Sequence, residues 1–504
     1  MSGRTRALPV FPIAPEPVRP GVPADIEAVR LELDALGPED GPRIGLITLG
    51  CDKNTVDSEK MMAALVGHGA RVSSDLEGVD VVVVNTCGFI DAAKEQSIET
   101  ILEACQLKER GDVAAVVAVG CMVERYKQEL AAEIPEVDLF LGLAEMGSLI
   151  DELRARGYLP EPEAVPLMER PLRVLATETR HTSYLKISEG CDHSCAFCAI
   201  PTFRGLHRSA PLDELVREAQ ALERQGVREI NIVSQDTTWY GRDLRRRDPE
   251  APLLPDLLRA LVRETGVPWY RLFYMYPSGI TRELVELIAA EPQLLPYLDM
   301  PLQHGSDRIL AAMRRPERRA TILERVRWLR EAVPDLTLRT TVIVGFPGET
   351  EDDFRALLDL LEEVRFDRVG VFAYSPEDGT LAASMPDSVP PSLKRERLEQ
   401  VLDVQRGLAV ERNLELVGRT FDALVDEPLH DDPDHEALAR TVGQAADVDG
   451  VTYLTDAAGA GRGSLVRVRI EDVLEYDLVG RVVEVLDGGV AGGGSAAGAV
   501  EETS

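Results

Sequence analysis

The sequence predicts a three-part α/β protein: an N-terminal parallel α/β sheet domain, a central (β/α)6 partial TIM-like barrel, and a small OB-like β-barrel at the C-terminal end. Three observations predict it. Continuous apolar runs followed by helical stretches recur three times before residue 150, as strands of a parallel sheet covered on both faces should. A strand-then-helix pattern then runs six times, and from Gly418 short strands with Gly-rich turns replace it. A chain of 504 residues has room for roughly three domains, and its 44% apolar content suits packed cores.

Taken in order, residues 1–42 are rich in Pro, Ala and acidic groups and read as a disordered extension. The first domain, 43–165, carries the runs IGLITL, VDVVVVN and VAAVVAV. A proline-bearing connection, YLPEPEAVPLMERPLRV, leads to the second domain, 180–416. Its strand candidates are SYLKIS, REINIVS, YRLFYM, YLDMPL, TLRTTVIV and RVGVFAY, with helices over Leu212–Arg224, Arg282–Ala290, Thr321–Glu331 and Asp352–Val364 between them. In such a barrel the chemistry sits at the C-terminal strand ends. The third domain, 417–486, holds FDALVD, ALARTVG, SLVRVRIEDV and GRVVEV, and the tail 487–504 reads as disordered.

Lys+Arg 55 against Asp+Glu 87 leaves a net charge of −32, which disfavours broad binding to phosphate backbones and favours a basic partner. No run of 18 apolar residues occurs, and prolines break the start before a signal-peptide core, so a cytoplasmic protein with no membrane partner is expected. Seven cysteines are too sparse for a disulfide scaffold, and in a reducing compartment they are better metal ligands or catalytic groups.

Cys51, Cys87 and Cys121 each follow a strand of the first domain, so all three thiols should emerge at one carboxyl edge, where open α/β sheets bind ligands. Three such thiolates can hold an iron-sulfur cluster or a zinc ion. Cys105 instead falls on a helical stripe with Ile98, Ile101 and Leu102, a core-packing position. Cys191, Cys195 and Cys198, spaced C-x3-C-x2-C after SYLKIS, must wrap one metal centre. Zinc would need a fourth ligand, for which His193 is nearby but better placed as a loop residue; a four-iron cluster would keep one iron open for chemistry. Gln235 and Asp236 end the second barrel strand, Asp299 and Gln303 bracket the end of the fourth, and Arg339 lies on the fifth; all could point into the cavity. Gly345 and Gly348 either let backbone approach a nucleoside or make an ordinary turn capped by Glu349 or Thr350. Phe197 packs beside the centre or in the loop core, and Arg204, His207 and Arg208 read as a solvated basic loop.

With these motifs the chain resembles the radical S-adenosylmethionine methylthiotransferases. The likeness extends to TLGCDKNTVDSE (48–59), GCDHSCAFCAIPTFRG (190–205), SQDTTWYG (234–241), MPLQHGSDRILAAMRRP (300–316), VGFPGETEDDF (344–354) and YSPEDGT (374–380), and covers 43 to about 485. It lies nearer the members that modify an aspartate of ribosomal protein S-twelve than those that modify transfer RNA. The resemblance implies a methylthiotransferase domain, a radical S-adenosylmethionine domain and a TRAM domain, with two 4Fe-4S clusters and S-adenosylmethionine as cofactors. It implies that the Cys191, Cys195, Cys198 cluster binds S-adenosylmethionine through its open iron. One electron from an external donor then gives a 5′-deoxyadenosyl radical. It assigns Cys51, Cys87 and Cys121 to an auxiliary cluster that supplies sulfur, and the strand before Gly345 to adenosine binding. The implied product is a β-methylthio aspartate on S-twelve, with nucleic acid not expected as substrate. Transfer-RNA methylthiolation is the nearest alternative; a non-catalytic iron-sulfur carrier or zinc-stabilised interaction protein is a different class.

Overall fold

The computed structural model describes residues 36–161, 172–175, 181–386, 389–430 and 432–488. The rest of the expected extension and tail, and most of the proline-bearing connection, lie outside the described residues. The chain divides into two compact units, Met1–Ala409 and Val410–Ser504.

The first unit opens with β1 (Arg43–Thr48), α1 (Asp52–Gly67), β2 (Arg71–Ser73), β3 (Val81–Thr86), α2 (Asp91–Glu109), β4 (Ala115–Gly120), α3 (Cys121–Glu133), β5 (Leu139–Leu141) and α4 (Leu149–Ala155). The strands form one parallel sheet in the order β2-β1-β3-β4-β5. β3 and β4 are buried at every position because helices cover both faces, the reason residues 81–84 and 115–119 are continuous apolar runs rather than alternating ones. The sequence reading found β1, β3 and β4 but not the edge strands β2 and β5, whose three residues are too few to show a period. Part of the expected disordered extension is also ordered: Leu36 exchanges two backbone hydrogen bonds with Val72 of the edge strand β2.

Cys105 lies on α2 in the core, 5% exposed, beside Ile101 and Ala104. The expected stripe needs one correction: Leu102 is 43% exposed, and Ala104 takes its packing role. Cys105→Ser should therefore keep the iron content of the reconstituted enzyme and lose ~1–3 kcal/mol of stability through a buried hydroxyl without a partner. Iron analysis and a denaturant melt check both halves.

The barrel follows, with β6 (Thr182–Lys186), β7 (Ser188–Glu189), α5 (Ile200–Phe203), β8 (Arg208–Ser209), α6 (Leu212–Arg224), β9 (Glu229–Val233), α7 (Leu254–Glu264), β10 (Trp269–Leu272), α8 (Arg282–Ala290), β11 (Leu294–Asp299), α9 (Asp307–Ala312), α10 (Arg319–Ala332), β12 (Thr337–Val344), α11 (Glu351–Val364), β13 (Arg368–Ala373) and α12 (Pro391–Leu414). Six parallel strands stand in sequential order, β6-β9-β10-β11-β12-β13, as an open (β/α)6 barrel. All six carboxyl ends therefore share one rim.

The first sheet is locked to this barrel by buried charge. Arg173, 1% exposed, donates through Nη1 to Glu218 of α6 at 2.6 Å and through Nε to Glu59 of α1 at 2.9 Å. Lys186 at the end of β6 pairs with Asp57 of α1. Tyr274 donates its hydroxyl to Asp52 at 3.2 Å, and the Lys53 ammonium lies 3.2 Å from the centre of the same ring. These contacts bring the cysteine edge of the first sheet to the rim of the barrel.

The second unit, considered alone, is a closed barrel of β14 (Thr420–Pro428), β15 (Ala437–Thr441), β16 (Thr452–Thr455), β17 (Leu465–Leu474) and β18 (Asp477–Asp487) in the order β14-β15-β16-β18-β17. The sequence reading missed the four-residue β16. Its pairing with β18 is parallel, and with β15 antiparallel, which closes the cylinder.

Candidate functional site

The first cysteine trio sits where three parallel strands end. Cys51 caps α1, Cys87 follows β3, and Cys121 opens α3. Gly50 has φ of +97°, and a side chain there would place Cβ 2.8 Å from the Cys87 sulfur, so only glycine lets the Cys51 turn lie against Cys87. Asn54, fully buried, ties the turns together: Nδ2 donates to the carbonyls of Leu49 at 2.9 Å and Thr86 at 3.0 Å, while Oδ1 is 3.5 Å from the Cys121 sulfur. Burial pushes the Cys87 thiol up to about 11 and Cys121 up to about 12; Cys51 adds to both rises and Cys87 to that of Cys121. The three thiols thus feel one another's charge, and a cationic centre is what would hold them together as thiolates.

The second trio occupies a loop closed by a two-residue ribbon, with Ser188 opposite Ser209 and Glu189 opposite Arg208. Cys191 donates its N–H to the Gly205 carbonyl at 3.0 Å, and Cys198 donates to Cys195 at 3.2 Å. Burial pushes Cys191 and Cys198 each up to about 12, with Cys195 raising both. At Gly190, φ is +75° and a Cβ would lie 2.3 Å from the Leu206 carbonyl oxygen. Gly190→Ala should therefore pry open the ribbon and strip iron from this loop while the rest of the fold stands. Iron per chain and circular dichroism measured together would show it.

Around Cys195 the barrel builds a stacked column. Its sulfur is 3.1 Å from the Tyr276 hydroxyl; the Tyr276 ring stacks on His193 at 4.1 Å, and the Arg315 guanidinium lies 3.7 Å from the Tyr276 centroid. His193 is bound through Nε2 to Asp236 at 2.6 Å, so it is engaged away from the thiols as the loop reading expects. A single metal ion needs ligands packed closely about it. Among the described residues no three Cys, His, Asp or Glu side chains are grouped that way. A cubane cluster takes each thiolate on a separate iron, a wider arrangement.

The other expected pocket residues fall at the same rim with different engagements. Asp236, 1% exposed, also accepts from the Thr238 N–H and hydroxyl. Half-buried Gln235 keeps a buried side-chain oxygen without a hydrogen-bond partner. Arg339 donates to Asp299 at 2.9 Å. Gln303 lies four residues past β11, at φ +76°, bridged to Val342 of β12. Phe197 is half-buried against the cluster of Ala196, Ile309, Met313, Phe346 and Tyr374. Gly345 has φ of +72° and donates its N–H to the buried carboxylate of Glu349 at 2.9 Å, while Thr350 caps α11, so both parts of the turn reading are present.

Sequence reasoning missed Tyr274, Tyr276 and Arg315. The two tyrosines close the third barrel strand, in YRLFYMYP, and polar groups just past a barrel strand were the available signal. The basic-loop reading is corrected: Arg204 is 6% and His207 4% exposed, and only Arg208 of the three is exposed. Arg204 is buried because α5 carries this part of the loop against Cys121, whereas His207 is enclosed beside Ser209, Asp243 and Trp239. Cys121, Ala199 and Phe203 form one apolar cluster, flanked by Leu143 and Ile200. The two trios are therefore neighbours.

Three family models match the chain: an uncharacterized protein family, UPF0004, over 43–142, the radical SAM superfamily over 185–361, and a TRAM domain over 417–483. Curated relatives span nearly all of it. The ribosomal protein uS12 methylthiotransferase RimO of Anaeromyxobacter sp. (strain Fw109-5) is 46% identical over 445 residues, covering 88% of this chain and 93% of the relative. That of Symbiobacterium thermophilum is 46% identical over 454 residues, covering 88% and 92%. The protein of the same name from Geobacter sulfurreducens is 42% identical over 448 residues, covering 88% and 98%. Among solved structures, the radical S-adenosylmethionine methyltransferase TsrM of Kitasatospora setae is similar at a TM-score of 0.48 and 16% identity, over 66% of this chain and 75% of that one. Identity of 42–46% over 88% of its length places the chain in the family of ribosomal protein uS12 methylthiotransferases.

Proposed function

We propose that the protein adds a β-methylthio group to an aspartate of ribosomal protein uS12, with Cys191, Cys195 and Cys198 holding one 4Fe-4S cluster and Cys51, Cys87 and Cys121 a second. The observation that carries the reading is the packing of Cys121 onto Ala199 and Phe203, immediately behind the Cys191 loop. The two centres would then lie in one region of the molecule, the proximity that hydrogen removal and sulfur delivery at the same atom require. When bound, the first cluster with S-adenosylmethionine supplies a radical able to break an unactivated C–H bond, and the second supplies sulfur.

The chain's own residues bind and orient. The Tyr276–His193–Asp236 column and the Arg315 cation fix the face of the Cys191 loop. Gly345, on the turn after β12, and half-buried Phe197 are the backbone and ring that would face an adenosine. Asp299 accepts from the Tyr274 N–H and from Arg339, tying three neighbouring barrel strands together. An external protein supplies the electron, and the reaction belongs in the reducing cytoplasm; among the described residues no helix is long and apolar enough to cross a membrane.

Charge separates this substrate from transfer RNA. Residues 418–484 carry fifteen acidic groups against six Arg and no Lys, a net −9, with Phe421, Tyr453 and Tyr476 as the aromatic residues. An RNA-binding barrel wants a basic groove with stacking aromatics, whereas an acidic one steers a basic ribosomal protein. Mass spectrometry of ribosomal proteins and transfer RNAs from cells lacking the gene tests the proposal. Loss of the methylthio mass from uS12, with transfer RNA unchanged, is expected; the converse refutes it.

A further inference from the structure

Arg204 sits on the loop of one cysteine trio and touches a sulfur of the other. Arg204 is 6% exposed, and its Nη2 points at the Cys121 sulfur from 3.1 Å and at Asn54 Oδ1 from 2.7 Å. Nη1 is held by Glu189 at 2.9 Å, with Asp57 3.6 Å away. Glu189 is itself on the ribbon that closes the Cys191 loop and is paired with Lys186 at 2.7 Å. A planar fork pinned on one side by a carboxylate has its other N–H groups aimed in a fixed direction, which an ammonium on a flexible stem does not reproduce. Cys121, as a thiolate, can only accept.

We propose that Arg204 is a positioning residue of the auxiliary cluster, holding the Cys121 thiolate by a charge-assisted hydrogen bond delivered from the loop of the other cluster. The inference rests on the reading of Cys51, Cys87 and Cys121 as cluster ligands. Hydrogen bonds and positive charge at a ligating sulfur stabilise the more negative, reduced form and so raise the reduction potential. Glu189 opposes this by neutralising part of the guanidinium charge. Two changes should therefore move the potential in opposite directions.

The test is a redox titration, followed by electron paramagnetic resonance, of the full-length reconstituted enzyme. The auxiliary signal is the one that persists when Cys191, Cys195 and Cys198 are replaced by alanine. Arg204→Gln should shift its midpoint to more negative potential and Arg204→Lys should fall between, because the charge is kept and the fork is lost. Glu189→Gln should shift it to more positive potential, and all three should retain parental iron content. If Arg204→Gln fails to fold or load, Arg204→Lys and Glu189→Gln decide by their opposite signs. Loaded variants with unchanged midpoints, or shifts confined to the Cys191 signal, overturn the role of Arg204 and leave the cluster assignment standing. Absence of iron from the variant lacking the Cys191 trio overturns the cluster assignment and this inference with it.

Discussion

Replacing Cys191, Cys195 and Cys198 together with alanine is expected to remove about half the reconstituted iron, since each cluster holds four iron atoms, and to abolish cleavage of S-adenosylmethionine. The complementary variant, lacking Cys51, Cys87 and Cys121, should also lose half the iron yet still cleave S-adenosylmethionine under dithionite. The reason is structural: the first set lies in a loop that its own ribbon closes, and the second hangs on three strands of another sheet. Each set is complete without the other. Methylthiolation should vanish in both. A folded variant without the second set that cannot cleave S-adenosylmethionine at all would show that the division of labour is wrong.

Arg173→Met is expected to destabilise the first unit by about 3–5 kcal/mol, the usual consequence of leaving one member of a buried ion pair without its partner. The guanidinium is enclosed between Glu59 of α1 and Glu218 of α6, and burial already pushes Glu59 above the usual carboxylate range despite Arg173. Without the arginine, Glu59 rises further. A carboxyl whose folded value is raised weakens the fold above its unfolded value and does so less as acid protonates it. The gap between variant and parent should therefore narrow as pH falls toward the ordinary carboxylate range. Denaturant melts at neutral and mildly acidic pH measure it, and a gap that widens in acid would exclude this cause.

The fold class was legible because its signals are local and repeated. Parallel strands covered on both faces run apolar through most of their length, so VVVVN and VAAVVAV announce themselves, and the Cys51, Cys87 and Cys121 intervals inherit the βα repeat. The edge strands β2 and β5 and the short β16 carry too few residues for any period. Leu102 misled because helical spacing alone does not say how wide the buried stripe is, and small Ala104 occupies the facing position. Arg204 was the larger miss. A basic residue in a polar loop looks solvated until a partner 83 positions earlier in the chain is known to lie against it. Such engagements depend on how two sheets meet, and no periodicity records that. The same holds for His193, whose proximity to three cysteines in sequence gives way to a stack on Tyr276 and a bond to Asp236.

Incubating the reconstituted enzyme with S-adenosylmethionine, dithionite and a sulfur source, in the presence of either uS12 or hypomodified transfer RNA, tests the account most directly. Mass spectrometry of both macromolecules should find one methylthio group in place of one hydrogen on a single uS12 aspartate, and unmodified RNA. Methylthio incorporation into the RNA alone would contradict it.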